Sequence, residues 1–161
     1  MSENATVQKS ELKEFVSFLM TSRQVYAIDV NYIETINEKM EIRPVPLAND
    51  YIEGVINLRG RIVPIVNLVK KTDMPVEEGE EITYNKIIVV KYDNNETGFL
   101  VKDVKEVIRI NDSEIEQVTA TKYSKLDQKY IYGIVNQNNK LIVILSIKSI
   151  MESMGIVKEE E

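Results

Sequence analysis

Apolar and polar residues alternate with a period of two over much of this chain, as they do in strands with one buried face. Tyr26, Ile28 and Val30 alternate with Ala27 and Asp29, and a first strand pair is expected over 15–20 and 25–30. A second pair is expected over 87–92 and 98–101, closed by the turn-forming run Asp93-Asn94-Asn95-Glu96, with a further strand over 104–110. Asn31 is read as the cap of a short helical turn carrying Ile33 and Ile36 on one side. Residues 41–47, interrupted by Pro44 and Pro46, read as extended edge or irregular chain. Residues 68–71 read as a brief helix, and 74–85 as an acidic loop holding Glu77, Glu78, Glu80 and Glu81; 111–128 carries no clear pattern. Near the end, Ile147, Ile150, Met151 and Met154 recur at helical spacing behind the capping residue Ser146, and Gly155 stops that helix.

One strand pair occurs twice. Residues 54–68, GVINLRGRIVPIVNL, register without a gap on 133–147, GIVNQNNKLIVILSI, at an offset of 79. Each copy reads as a strand, a tight turn and a β-branched strand, with Gly60 and Asn139 supplying residue types that tolerate positive φ. Upstream, Ala27 to Val30 followed by Ile33 and Ile36 superposes on Gly98 to Val101 followed by Val104 and Val107, at an offset of 71. At that offset Val16 and Phe18 fall on Ile87 and Val89. Two related β-lobes in tandem therefore account for most of the chain. A lobe of about 70 residues is marginal alone, so the two are expected to share a core, as one domain over 13–155 with flexible termini at 1–12 and 156–161.

Composition narrows the function. The chain has no Cys, which points to a reducing compartment, and no apolar run near the roughly 20 residues that span a bilayer. The start lacks a basic segment followed by an apolar one, so a cytoplasmic protein without membrane insertion is expected. A net charge of −6 disfavours nucleic acid, whose binding relies on Lys and Arg at phosphates. There is no His either, which removes the usual proton shuttle near neutral pH and the ordinary zinc sites. No glycine-rich phosphate loop precedes a helix. Asp29 with Glu53 is a conceivable carboxylate pair, outweighed by the reading of both as surface acids. No cofactor, no metal and no catalysis are expected, and function falls to surfaces that bind protein.

Three features mark such surfaces. Pro64 interrupts an apolar strand in which its counterpart is Val143, and is expected at an open edge or bulge. Arg59 sits in a turn whose counterpart, Asn138, is uncharged, so the fold itself does not require the cation. The matched sets Val30, Ile33, Ile36 and Val101, Val104, Val107 are expected to approach one another where the lobes meet, leaving an apolar slot for a helix.

The run from Tyr26 to Leu68, with YAIDV at 26–30, IRPVP at 42–46, YIEGVINLRG at 51–60 and IVPIVNL at 62–68, resembles CheW, and a looser match continues through Gly98 and Gly133. CheW is the coupling protein of bacterial chemotaxis arrays, and the same domain forms the regulatory part of the kinase CheA. The resemblance implies a mainly β fold of two tandem SH3-like five-stranded barrels with short helices, in which end strands are often exchanged between lobes. It implies two partners: the cytoplasmic hairpin tip of a methyl-accepting chemoreceptor and the regulatory domain of a CheA-type histidine kinase. Carried onto this chain, the receptor-binding residues are Val30, Ile33, Ile36, Arg59, Gly98, Val101 and Val104, and the kinase-binding residues Val45, Leu47 and Ile62. The chain departs from some members at Thr35, where they carry an acidic residue; here Glu34 lies one position earlier. A second reading of the same lobes is a small β-barrel ligand-binding protein or enzyme with a pocket between them.

Overall fold

A computed structural model describes residues 12–21, 23–117 and 128–155. Of the two expected flexible termini, residues 1–11 and 156–161 lie outside the described residues, whereas Leu12 already opens the first strand. In chain order the elements are β1 (Leu12–Leu19), β2 (Val25–Asp29), a 3-10 turn (Val30–Tyr32), β3 (Ile33–Glu38), β4 (Ile52–Leu58), β5 (Arg61–Val66) and α1 (Leu68–Thr72). There follow β6 (Lys86–Tyr92), β7 (Asn95–Val101), β8 (Asp103–Asn111), β9 (Ile131–Gln137), β10 (Lys140–Leu145) and α2 (Ile147–Ser153).

The strands form two five-stranded sheets, β8-β1-β2-β10-β9 (lobe I) and β3-β6-β7-β5-β4 (lobe II). Adding five to each strand number, cyclically, converts one order into the other, so the sequence repeat is a structural repeat. The tandem halves are exchanged in space. The β1–β2 hairpin of the first half completes the lobe built from the second, and β6–β7 completes the lobe built from the first.

Each lobe curls around its own apolar cluster: Phe15, Ala27, Ile108, Ile110, Val135 and Ile144 in lobe I, and Ile56, Val63, Ile65, Ile87, Val89 and Leu100 in lobe II. A third and larger cluster joins them, with Phe18, Tyr26 and Ile28 from the first exchanged hairpin against Ile88, Val90, Phe99 and Val101 from the second, closed by Leu68, Ile147, Ile150 and Met151. Burial of one such side chain stabilises the fold by about 1.5–3 kcal/mol. A hairpin left out of its sheet would expose a face of this shared core, so the exchange ties the lobes into one unit.

The turns follow the side chains. Arg59 and Gly60 have φ 54° and 86°, Asn138 and Asn139 54° and 67°, and Asp93 and Asn94 53° and 67°: two-residue loops with both residues left-handed, matched to strand twist. The Asn57 side chain accepts from the Gly60 N–H at 2.9 Å and holds the first turn shut. Asn67 caps α1 and Ser146 caps α2 from equivalent positions.

Four local expectations change. Ile33 and Ile36 lie on strand β3, and the turn before them is capped by Asp29, whose carboxylate accepts from the Asn31 N–H at 2.8 Å. A bulge between Ile33 and Thr35 inserts one residue, so both isoleucines pair with residues of one face, Val90 and Ile88. A spacing of three that reads as helical thus arises in a strand. The equivalent bulge in β8 sets Val104 against Phe18 and Val107 against Val16. The third change is the register of β1 on β6. Ser17 pairs with Ala27 and Val89 with Gly98, so the offset there is 72, and Val16 and Phe18 correspond to Ile88 and Val90. One residue of register exchanges the faces of a strand, which is why the distinction matters.

Pro64, finally, lies at neither an edge nor a bulge but within β5, which sits between β7 and β4. The parallel ladder of β10 on β2 covers Ile142 to Ile144, whereas that of β5 on β7 begins at Ile65, immediately after the proline. Without an N–H, Pro64 shortens the ladder by its own position.

Candidate functional site

The parallel pairing of β5 with β7 and the antiparallel pairing of β6 with β3 bring the Arg59–Gly60 turn, the Asp93–Asn94 turn, the 3-10 turn and Ile33 to one end of lobe II. Two arginines flank Gly60 and differ in what they do. Arg61 forms a two-pronged bridge to Glu96, Nε to Oε1 at 2.8 Å and Nη2 to Oε2 at 2.9 Å. That bond holds the Glu96 carboxyl below its usual range and raises the guanidinium, with Glu34 adding to the latter. Arg59 is exposed and makes no hydrogen bond or ion pair among the described residues.

Of the receptor-binding residues expected from the sequence, Val30 and Ile33 are half-buried at this end, and Ile33 packs on the shared core. Val104, on the other lobe, packs on the rim of the same core. Ile36 is 41% exposed and its counterpart Val107 is 56% exposed, on the outermost strands of the two sheets. Gly98 and Val101 present no surface. Val101 is fully buried in the shared core. A Cβ on Gly98 would lie 2.6 Å from Ile65 Cδ1 and 2.9 Å from Ile87 Cγ2, inside lobe II. Sequence alignment of the repeat could not separate these two from the rim, because all lie on apolar strands. Pattern reading also passed over Tyr32 and Tyr92, whose rings lie 6.0 Å apart at this rim, with the Tyr92 hydroxyl donating to Glu152 at 3.0 Å.

The residues expected from the sequence to bind the kinase are all surface residues: Val45 41% and Ile62 62% exposed, and Leu47 fully so. Leu47 also has φ 60°. A leucine that is both solvated and left-handed is disfavoured by folding on two counts. The strip carrying Val45 is held beside β4 by a reciprocal pair of bonds between Arg43 and Val55, both 2.9 Å. Ile62 lies apart from it. It pairs with Asn57 next to the turn and borders a shallow groove with Glu34, Arg61, Pro64, Lys91 and Glu96. By register about four strand positions, roughly 13 Å, separate Ile62 from the Val45 strip.

The conceivable carboxylate pair has other work. Asp29 caps the 3-10 turn, and Glu53 accepts from the Asn67 side chain at 2.9 Å. Among the described residues no group of three or more acidic side chains is placed to hold a metal ion, and no helix is long and apolar enough to cross a membrane.

Two exchanged β-barrels that present a free arginine and solvated aliphatic residues define a protein-binding module. The family model of the CheW-like domain matches residues 14–154, nearly the whole chain. The chemotaxis protein CheW of Thermotoga maritima is 37% identical over 147 residues, covering 90% of this chain and 93% of that protein. The CheW of Bacillus subtilis is 31% identical, with 87% of each covered. The crystal structure of the scaffolding protein TtCheW from Thermoanaerobacter tengcongensis superposes with a TM-score of 0.74 at 27% identity, over 87% of this chain and 88% of that one. The chain belongs to the CheW-like domain family of chemotaxis scaffolding proteins. The alternative of a small barrel enzyme or ligand-binding protein finds no support in these relatives.

Proposed function

We propose that this chain, acting as one unit over 13–155, is a cytoplasmic, non-catalytic adaptor that links a chemoreceptor's cytoplasmic hairpin tip to the regulatory domain of a CheA-type histidine kinase. Family membership supports the role, and the uncommitted Arg59 is the observation that carries the receptor side. Val30 and Ile33 supply apolar contact at the same end, Ile36 and Val104 extend it along the outer strands of the two lobes, and Val45, Leu47 and Ile62 face the kinase. Two modest interfaces on one rigid body act together through effective concentration, so neither has to be tight.

Arg59→Ala is the test. Both residues of its turn are left-handed in either repeat, and the side chain holds nothing in the fold, so stability should change by no more than about 0.5 kcal/mol. A charge-assisted bond to a carboxylate or helix end contributes about 1.5–3 kcal/mol, so receptor affinity should fall roughly tenfold or more. Arg59→Lys should restore only part, because an ammonium lacks the guanidinium fork. Melting temperature, kinase binding and receptor binding are measured on the same variants. Normal receptor binding, or a large drop in melting temperature, sinks the assignment.

Leu47→Asp separates the faces. Asp tolerates the left-handed backbone at position 47 better than Leu, so the fold should be unharmed while kinase binding weakens and receptor binding holds. The opposite selectivity would reverse the two faces.

A further inference from the structure

The internal repeat supplies a comparison between two equivalent lobe mouths, one filled and one open. In lobe II, Tyr84, just ahead of β6, folds over the mouth and packs on both the lobe II cluster and the shared core. Its phenol reaches the α1 cap: burial pushes its pKa up, a hydrogen bond with Asn67 draws it down, and the Glu53 carboxylate raises it. Lobe I has a cavity of about 230 Å³ at the corresponding place, lined by Phe15, Tyr32, Tyr132, Leu145, Ser146 and Lys148. By the repeat, Phe15 stands for Ile87, Leu145 for Val66, Ser146 for Asn67, Tyr132 for Glu53 and Lys148 for Val69. The residue equivalent to Tyr84 is Leu12, which is 63% exposed and does not line the cavity.

We propose that the open mouth of lobe I is a socket for an aromatic side chain, tyrosine or phenylalanine, carried on a partner protein segment with a neighbouring carboxylate. Tyr84 is the internal template for the ring. Size agrees, since an apolar cavity of about 150 Å³ suffices to hold a benzene ring. The carboxylate follows from the change of Val69 to the exposed Lys148 at the mouth; Asp29, the acid that lines the cavity, is engaged by the Asn31 N–H that it caps. Lys13, also at the mouth, is engaged by the Tyr132 hydroxyl at 3.2 Å and by Asp112 at 3.6 Å, and so serves as wall. Residues 1–11 contain no aromatic residue, so that segment cannot supply the ring. The socket is a contact additional to the receptor and kinase surfaces and stands whichever way those are assigned.

The intact protein is titrated with 4-methylphenol, the tyrosine side chain as a free molecule, and followed by amide NMR. Saturable millimolar binding is expected, with shifts at Ser146, Ile147 and Lys148 and none at Leu68 and Val69. Tyr84→Ala should open lobe II and add a second set of shifts at Leu68 and Val69. Tyr132→Ala should weaken the lobe I site without removing the lobe II site made by Tyr84→Ala. N-acetyl-Glu-Tyr-amide should bind about threefold tighter than N-acetyl-Lys-Tyr-amide, a margin that Lys148→Glu reverses. No shift at Ser146 to Lys148, or no second site in Tyr84→Ala, overturns the proposal. Binding of 4-methylphenol without either peptide makes the cavity a small-molecule site and also overturns it. Binding only after Tyr123→Ala would identify the chain's own tyrosine as the occupant, with the same consequence.

Discussion

Gly54→Ala is expected to lower stability by roughly 2–5 kcal/mol and to weaken kinase binding with it. Gly54 has φ 148°, and a Cβ there would lie 2.3 Å from the Arg43 carbonyl oxygen and 2.8 Å from Ile42 Cγ2. Backbone cannot swing aside as a side chain can. Relief requires the 42–43 strip to lift off β4, which breaks the two bonds between Arg43 and Val55 and moves Val45 and Leu47 beyond it. Two companions calibrate the result. Gly133→Ala should cost less, because the nearest atom is a side-chain methyl, Ile115 Cγ2 at 2.3 Å, with the Glu116 oxygen at 3.0 Å. Gly60→Asn should be nearly neutral, since nothing lies within 4 Å and Asn139 already holds the equivalent left-handed position at φ 67°. Thermal melting and kinase pull-down on the three variants give the order. A Gly54→Ala protein that melts with the wild type would rule out the close crossing.

Ile65→Ala should also cost about 2–5 kcal/mol, or roughly 5–15 °C in melting temperature for a chain of this size. Ile65 is fully buried in the lobe II cluster, and its Cδ1 occupies the space left by the missing side chain of Gly98. The two positions should therefore be coupled. Gly98→Ala alone overpacks the site, whereas Ile65→Val removes the Cδ1 that it would strike. The double variant should lie above the sum of the single losses by about 0.5 kcal/mol or more. At the equivalent place lobe I has Ala27 beside Ile144, where lobe II has Gly98 beside Ile65. Strict additivity would show that Ile65 and Gly98 do not share the space.

Much of the secondary structure was legible because local chemistry decides it. The 54–68 and 133–147 hairpins, the Asp93–Asn94 turn and the Ser146 cap each depend on residues within a few positions of one another. β3 was missed because its bulge converts a two-residue period into a spacing of three, and a bulge is defined by the strand opposite. Of the candidate contact residues, Arg59 was legible as surface from its turn; Val45, Leu47 and Ile62 came from the resemblance, and all three are exposed. Most of the matched apolar set reads as core, but that Gly98 and Val101 are the buried ones was not legible, because alignment of a repeat matches positions and carries no account of which face the neighbouring sheet covers.

By itself the sequence determined that the chain is a duplicated β protein and where its hairpins turn; alternation, turn propensity and internal repetition are properties of neighbouring residues. The tertiary structure alone decided that the halves exchange hairpins, that Pro64 lies just ahead of a shortened parallel ladder, and that Arg61 is bound to Glu96 while Arg59 has no side-chain partner among the described residues. Each of these depends on pairing between segments far apart in the chain, where burial of a common apolar face selects the partner. No local preference of either segment encodes that choice.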